Sequence, residues 1–171
     1  MPSRFKSDLT DSMQAKYNKF AVAMLSKGLN FILTCTARTV DEQIALYAQG
    51  RKIVTEVNKL RQIAGLAPIK ESQNNVVTWT LNSKHIVNLD DGNPDNNKSR
   101  AFDIALVINK KPHWDMKADV NEDQISDYMQ AGAIGEACGL RWGGRFPKPD
   151  YPHFEGIETG SRPGRTAGVT K

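Results

Sequence analysis

Ala101-Phe-Asp-Ile-Ala-Leu-Val-Ile108 alternates with period two: Phe102, Ile104 and Leu106 fall on one face, Ala101, Asp103 and Ala105 on the other. That is the pattern of a strand with one face on a core. It decides the fold class because much of the surrounding chain reads as helix. Leu9, Met13, Tyr17, Phe20 and Met24 recur every three or four residues, which predicts a helix over 8–27 closed by Gly28. Residues 31–36 read as a strand. Thr39, with Glu42 three positions later, forms a capping box for a helix that passes Ile44, Leu46 and Tyr47 and stops at Gly50. A further helix is predicted over 53–64, a loop over 67–75 and a short strand over 76–80. Beyond the central strand, a helix over 121–138 ends at Gly139, and strand pieces fall at 141–143 and 152–156.

With 171 residues, no internal repeat and no linker between two cores, one domain is expected, and a chain of this size buries roughly 70% of its unfolded surface. We assign that domain to residues 1–158. The remainder, 159–171, carries Arg162, Arg165 and Lys171 among Gly, Ser, Pro and Thr, with no acid, and reads as a loosely ordered basic tail. No apolar run approaches the roughly 20 residues of a membrane-spanning helix. The N-terminus lacks the apolar segment of a signal peptide, so the chain is expected in a cytoplasm, with Cys35 and Cys138 as buried free thiols. The net charge of +4 is mild, and the lysines and arginines are scattered among acids, which argues against a nucleic-acid partner.

The chemistry lies beside the strands, in Ser83-Lys-His85, in Asp103 and in Asp150-Tyr-Pro-His153-Phe-Glu155. Catalytic zinc takes three protein ligands and keeps one position open, a count that His85, Asp103 and His153 meet. The small neighbours Ala101 and Ala105 are expected to leave room above the sheet for a metal and a peptide. Pro149 and Pro152 favour extended backbone, which puts His153 and Glu155 on one face and sends Phe154 to the core. Asp150 is then the candidate general base that takes the proton of an attacking water. His113, in Lys110-Lys-Pro-His-Trp114, is expected to lie in an exposed turn.

These motifs, with Ala37-Arg38-Thr39, Glu42-Gln43, Leu46-Tyr-Ala-Gln-Gly-Arg51 and Gly135-Glu-Ala-Cys-Gly-Leu-Arg-Trp-Gly-Gly144, resemble the zinc peptidases of peptidoglycan. The resemblance spans about residues 7–158. It is nearest to the L-alanyl-D-glutamate endopeptidase branch found among phage endolysins, related to the D-Ala-D-Ala peptidases. It implies an α+β fold of the hedgehog/D-Ala-D-Ala peptidase type, a small, mainly antiparallel sheet backed by helices. It also implies His85, Asp103 and His153 as Zn2+ ligands, Asp150 as catalytic acid/base, Arg38 as both a substrate-binding and an oxyanion-steadying residue, and Ser83 as a peptide contact. Gln43 and Trp142 are expected to support the pocket. The implied substrate is the stem peptide, cut between L-alanine and D-glutamate, by a monomer that reaches the wall from the host cytoplasm through a separate membrane pore. A D-Ala-D-Ala carboxypeptidase or dipeptidase, and a zinc-stabilised wall-binding domain without turnover, are the alternatives.

One departure stands out. His85 and Asp103 are 18 residues apart where the family pattern places them about 7 apart, and Ser99 replaces a glycine, so about 11 residues are inserted within 86–98. The insertion is rich in Asn and Asp and reads as a solvated loop, a lid or a calcium site. It is expected to leave the strand carrying Asp103 in place.

Overall fold

The structure is a computed structural model that describes residues 2–89 and 96–157. The basic tail and the middle of the insertion, with its loop, lid and calcium readings, lie outside the described residues.

Strand β2, Ala101–Ile108, is the axis of the sheet. Strand β1, Phe31–Cys35, lies antiparallel along one edge of it. The other edge is shared by β3, Lys111–His113, opposite Leu106–Ile108, and β5, His153–Gly156, opposite Ala101–Asp103. Strand β4, Leu140–Trp142, completes the order β1-β2-β5-β4, with every pairing antiparallel. The fold is thus α+β, as expected. An irregularity between Leu33 and Cys35 gives β1 one extra residue and sets Cys35 opposite Asp103, which also faces His153 across the other edge.

The apolar face of β2 behaves as its alternation predicts. Phe102, Ile104 and Leu106 are buried beneath helix α1, Asp11–Ser26, and helix α4, Asp127–Ala137. Phe102 stacks on Phe154 at 5.4 Å between ring centres, Phe20 of α1 lies 4.9 Å from Phe154, and Tyr17 meets Phe102 edge-on at 5.3 Å. Helix α4 can approach this sheet because Gly132 and Gly135 face the rings of Trp142 and Phe154. A Cβ at either glycine would stand 2.4 Å from a ring carbon. Helices α2, Val40–Ala48, and α3, Val54–Ile63, pack on each other, and the Thr39 capping box forms with both halves in place, at 3.1 and 3.0 Å.

Several local expectations are corrected. Helix α1 starts at Asp11, capped by Thr10, because residues 6–8 form a separate 3-10 turn. The span 121–126 is a turn in which Glu122 and Gln124 take positive φ and Asp119 accepts the backbone N–H groups of Asp123 and Gln124. That arrangement delays α4 to Asp127. Residues 76–80 pair with no strand. Their polar groups go instead to side chains: Gln43 Nε2 donates to Thr80 O at 2.7 Å and to Thr78 Oγ1 at 3.1 Å, and Arg51 donates to Thr78 O at 3.0 Å. His113 is not in an exposed turn. It is half-buried in β3, packs edge-on against Tyr128, and both ring nitrogens are covered. Ala101 and Ala105 are fully buried and line no cleft, so the open space near Asp103 has other walls. Cys35 and Cys138 are both free, but only Cys35 is buried; Cys138 is half-buried.

The ends of the insertion are tied. Asn88 N–H donates to Asn96 O at 3.1 Å, Ser99 bridges to Leu9, and Ser99 Oγ hydrogen-bonds within the chain turn at Ala101. Strand β2 begins two residues later without distortion of its pairing to β5.

Candidate metal centre and cleft

Three elements deliver the three expected ligands. Asp103 is fixed by the register of β2, and His153 is the first residue of β5 directly across from it. His85 comes from the segment after Ser83, which runs beside residues 36–38 through Arg38 N–H to His85 O and Val87 N–H to Arg38 O, both 2.9 Å. The result is a tight triangle of donor atoms. His85 Nε2 is 3.0 Å from Asp103 Oδ1, His153 Nδ1 is 2.9 Å from the same oxygen, and the two nitrogens are 3.2 Å apart.

The triangle fits a divalent cation. Ligands about 2.0–2.1 Å from a tetrahedral zinc lie about 3.3 Å from one another, close to the three separations found. The outer contacts also suit the task. His85 Nδ1 is 2.9 Å from the carbonyl of Thr36, so an Nδ1–H donating there leaves Nε2 with its lone pair facing the triangle. His153 Nε2 lies 3.2 Å from Glu155 Oε2, and Glu155 is itself held by Arg141 at 3.0 Å. A second trio, Cys35, His85 and Asp103, also lies within 4.8 Å. Cys35 Sγ, however, approaches the Nδ1 side of His85 at 3.6 Å and accepts from Arg38 Nε at 3.2 Å. It therefore supports the ring from behind, while His153 completes the open face.

Without a cation the centre is held by shared protons. Burial works to lower the pKa of His85, but the Asp103 carboxylate beside it raises it to about 10. Burial opposes ionisation of Asp103 too, yet the two imidazoles hold its carboxyl well below the usual range. A cation at this place competes with those protons for the same lone pairs.

Arg38 spans the centre and its support. It donates to Asp103 Oδ2 at 3.0 Å, to Gln43 Oε1 at 3.2 Å and to Cys35, using three of five N–H groups and leaving two. Gln43 is buried and joins this guanidinium to the 76–80 segment, so it positions Arg38 and does not line the cleft. Trp142 is likewise buried, with its indole N–H on Tyr151 O at 2.9 Å. Both are the supporting residues the sequence suggested.

Arg38, Ser83, His85, Asp103, Asp150 and His153 open on one cleft of about 730 Å³. Asp150 stands exposed at its rim. Crowding of its carboxyl by the cleft walls, then the charge of Asp103, raises its pKa, against the pull of His153, His85 and Arg38. Sequence reasoning gave no role to Cys35, Thr36 or Glu155. Glu155 was within reach, lying two residues from His153 on the same strand face. The other two carry no sequence signal, because their role arises from where β1 happens to pass.

The chain is similar to known peptidoglycan peptidases. A family described as D-alanyl-D-alanine carboxypeptidase, of the M15 peptidases, matches residues 96–156. The peptidoglycan L-alanyl-D-glutamate endopeptidase CwlK of Bacillus subtilis is 28% identical over 155 residues, covering 88% of this chain and 75% of that protein. The crystal structure of the Serratia marcescens L-Ala D-Glu endopeptidase ChiX superposes with a TM-score of 0.52 at 12% identity, covering 89% of this chain and 83% of that one, which shows a shared fold.

Proposed function

We propose, taking as premise that the chain belongs with the M15 peptidases in their L-alanyl-D-glutamate endopeptidase branch, that it is a zinc-dependent hydrolase of the peptidoglycan stem peptide. The observation that carries the reading is the triangle of His85 Nε2, Asp103 Oδ1 and His153 Nδ1 in a cleft that also holds Asp150. Held by these three residues, zinc would supply Lewis-acid polarisation of the scissile carbonyl and acidify the attacking water. Asp150, with its raised affinity for a proton, takes the proton of that water and passes one to the leaving amine. Arg38 lines the cleft with two N–H groups left to steady the developing negative oxygen, and its ties to Asp103 and Gln43 hold the guanidinium in place before reaction. Ser83 contributes to the wall along which the peptide lies.

The bond we assign is L-alanyl-D-glutamate. A D-Ala-D-Ala carboxypeptidase would use the same centre, and the description of the matching family keeps it as the second reading. We further assign the enzyme to phage lysis, acting as a monomer on the wall after leaving the host cytoplasm through a separate pore, on the strength of its endolysin-like motifs. The test is digestion of purified peptidoglycan with and without a chelator, the new termini being identified by mass spectrometry. New N-terminal D-glutamate that disappears with chelator and in His153→Ala supports the assignment. Release of free D-alanine transfers it to the second reading, and unchanged wall binding with no cleavage makes the chain a binding domain.

A further inference from the structure

We propose that Lys148 is the specificity-determining residue that holds the free α-carboxylate of the substrate residue on the leaving side of the scissile bond. The proposal rests on the endopeptidase reading. When an L-alanyl bond is made to the α-amine of D-glutamate and the peptide continues through the γ-carboxyl, the α-carboxylate stays free. It sits on the same carbon as the departing nitrogen. A cleft that accepts this group must set an available cation beside the residue that protonates the amine.

The cleft cations differ sharply in how far they are already neutralised. Arg38 is paired with Asp103 and Arg141 with Glu155, each at 3.0 Å. Lys84 has further interactions of its own. Lys148 has no carboxylate partner among the described residues. Its Nζ stands 4.0 Å above the ring of Trp79, a contact that orients the ammonium and leaves the N–H donors turned away from the ring for an anion.

Its setting is rigid on both sides. Pro147 and Pro149 flank it and limit its backbone. The loop is closed by Phe146 and Asp150, whose N–H groups both donate to Gly143 O, at 3.0 and 2.9 Å. Trp79, opposite, belongs to the segment that Gln43 and Arg51 tie down through Thr78 and Thr80. Both residues line the cleft. Lys148 is two residues from Asp150, a chain span of at most about 7 Å, so the groups that would serve the amine and its neighbouring carboxylate come from one short loop.

Two synthetic substrates test this: N-acetyl-L-alanyl-γ-D-glutamyl-L-lysine and its analogue with the glutamyl α-carboxylate replaced by a carboxamide. Zinc-loaded wild-type protein is expected to favour the acid over the amide by about tenfold in kcat/KM, as suits a charge-assisted hydrogen bond. In Lys148→Met that ratio should collapse toward one, through KM for the acid substrate, and Lys148→Arg should restore most of it. An equal rate on both substrates by wild type, or a ratio that survives in Lys148→Met, overturns the assignment. Failure of wild type to cleave either peptide refutes the endopeptidase reading itself.

Discussion

Replacing Gly135 by alanine sets two effects of opposite sign against each other. In a helix interior alanine is favoured over glycine by about 1 kcal/mol. Here the new Cβ would stand 2.4 Å from Phe154 Cε1 and 2.6 Å from Cδ1, where ordinary contact begins at 3.4 Å, so the ring must retreat by about 1 Å. It has nowhere to go: Phe154 is fully buried, stacked on Phe102 and pressed by Phe20. Overpacking of this kind costs about 1–3 kcal/mol, and the enclosed ring places it at the upper end. The net expectation is a loss of about 2 kcal/mol, or roughly 4–8 °C in Tm for a domain of this size. Scanning calorimetry of Gly135→Ala, Phe154→Leu and the double variant measures it. Because the smaller leucine makes room, the Gly135→Ala cost should largely vanish in the double variant, a strong coupling. A Tm equal to or above wild type for Gly135→Ala, or strict additivity in the double variant, refutes the packing argument. Since His153 adjoins Phe154, the same variant should also bind zinc more weakly.

Thr39→Ala removes one half of an intact capping box and should cost about 1 kcal/mol in denaturant unfolding, leaving zinc affinity unchanged. Gln43→Leu takes the partners from Thr80 O and from one N–H of the half-buried Arg38; stability should drop by about 1–2 kcal/mol, and kcat should fall further than KM rises, in melts and steady-state kinetics. Zinc binding should release protons: His85 is held protonated below about 10 in the metal-free protein and must lose that proton to become a ligand. Affinity therefore weakens as pH falls, and calorimetry at pH 7 in buffers of different ionisation enthalpy should show about one proton or more released.

The central strand and the facing of Asp103 and His153 were legible because both follow from strict local rules. Period-two alternation put Asp103 opposite the core face, and a proline-bounded segment put His153 and Phe154 on opposite faces. Residues 76–80 misled for the same reason. Alternation reports an extended chain, not whether its hydrogen bonds go to a strand or, as here, to Gln43 and Arg51. The late start of α4 was hidden because Asp119 satisfies backbone donors that a helix would otherwise have used. What sequence could not offer was the company each ligand keeps. Thr36 and Cys35 behind His85 depend on one extra residue in β1, a feature with no compositional mark.

The hydrogen bond from Asn88 N–H to Asn96 O brings the two described ends of the insertion together. Closing a longer insertion is inexpensive, about 0.6 kcal/mol for each doubling of its length. The strand bearing Asp103 is anchored independently, through Ser99 and its pairing with β5. An affinity tag or a whole targeting module joined between the described ends at Asn88 and Asn96 should therefore leave the cleft undisturbed, so that the same domain could be readdressed to different surfaces.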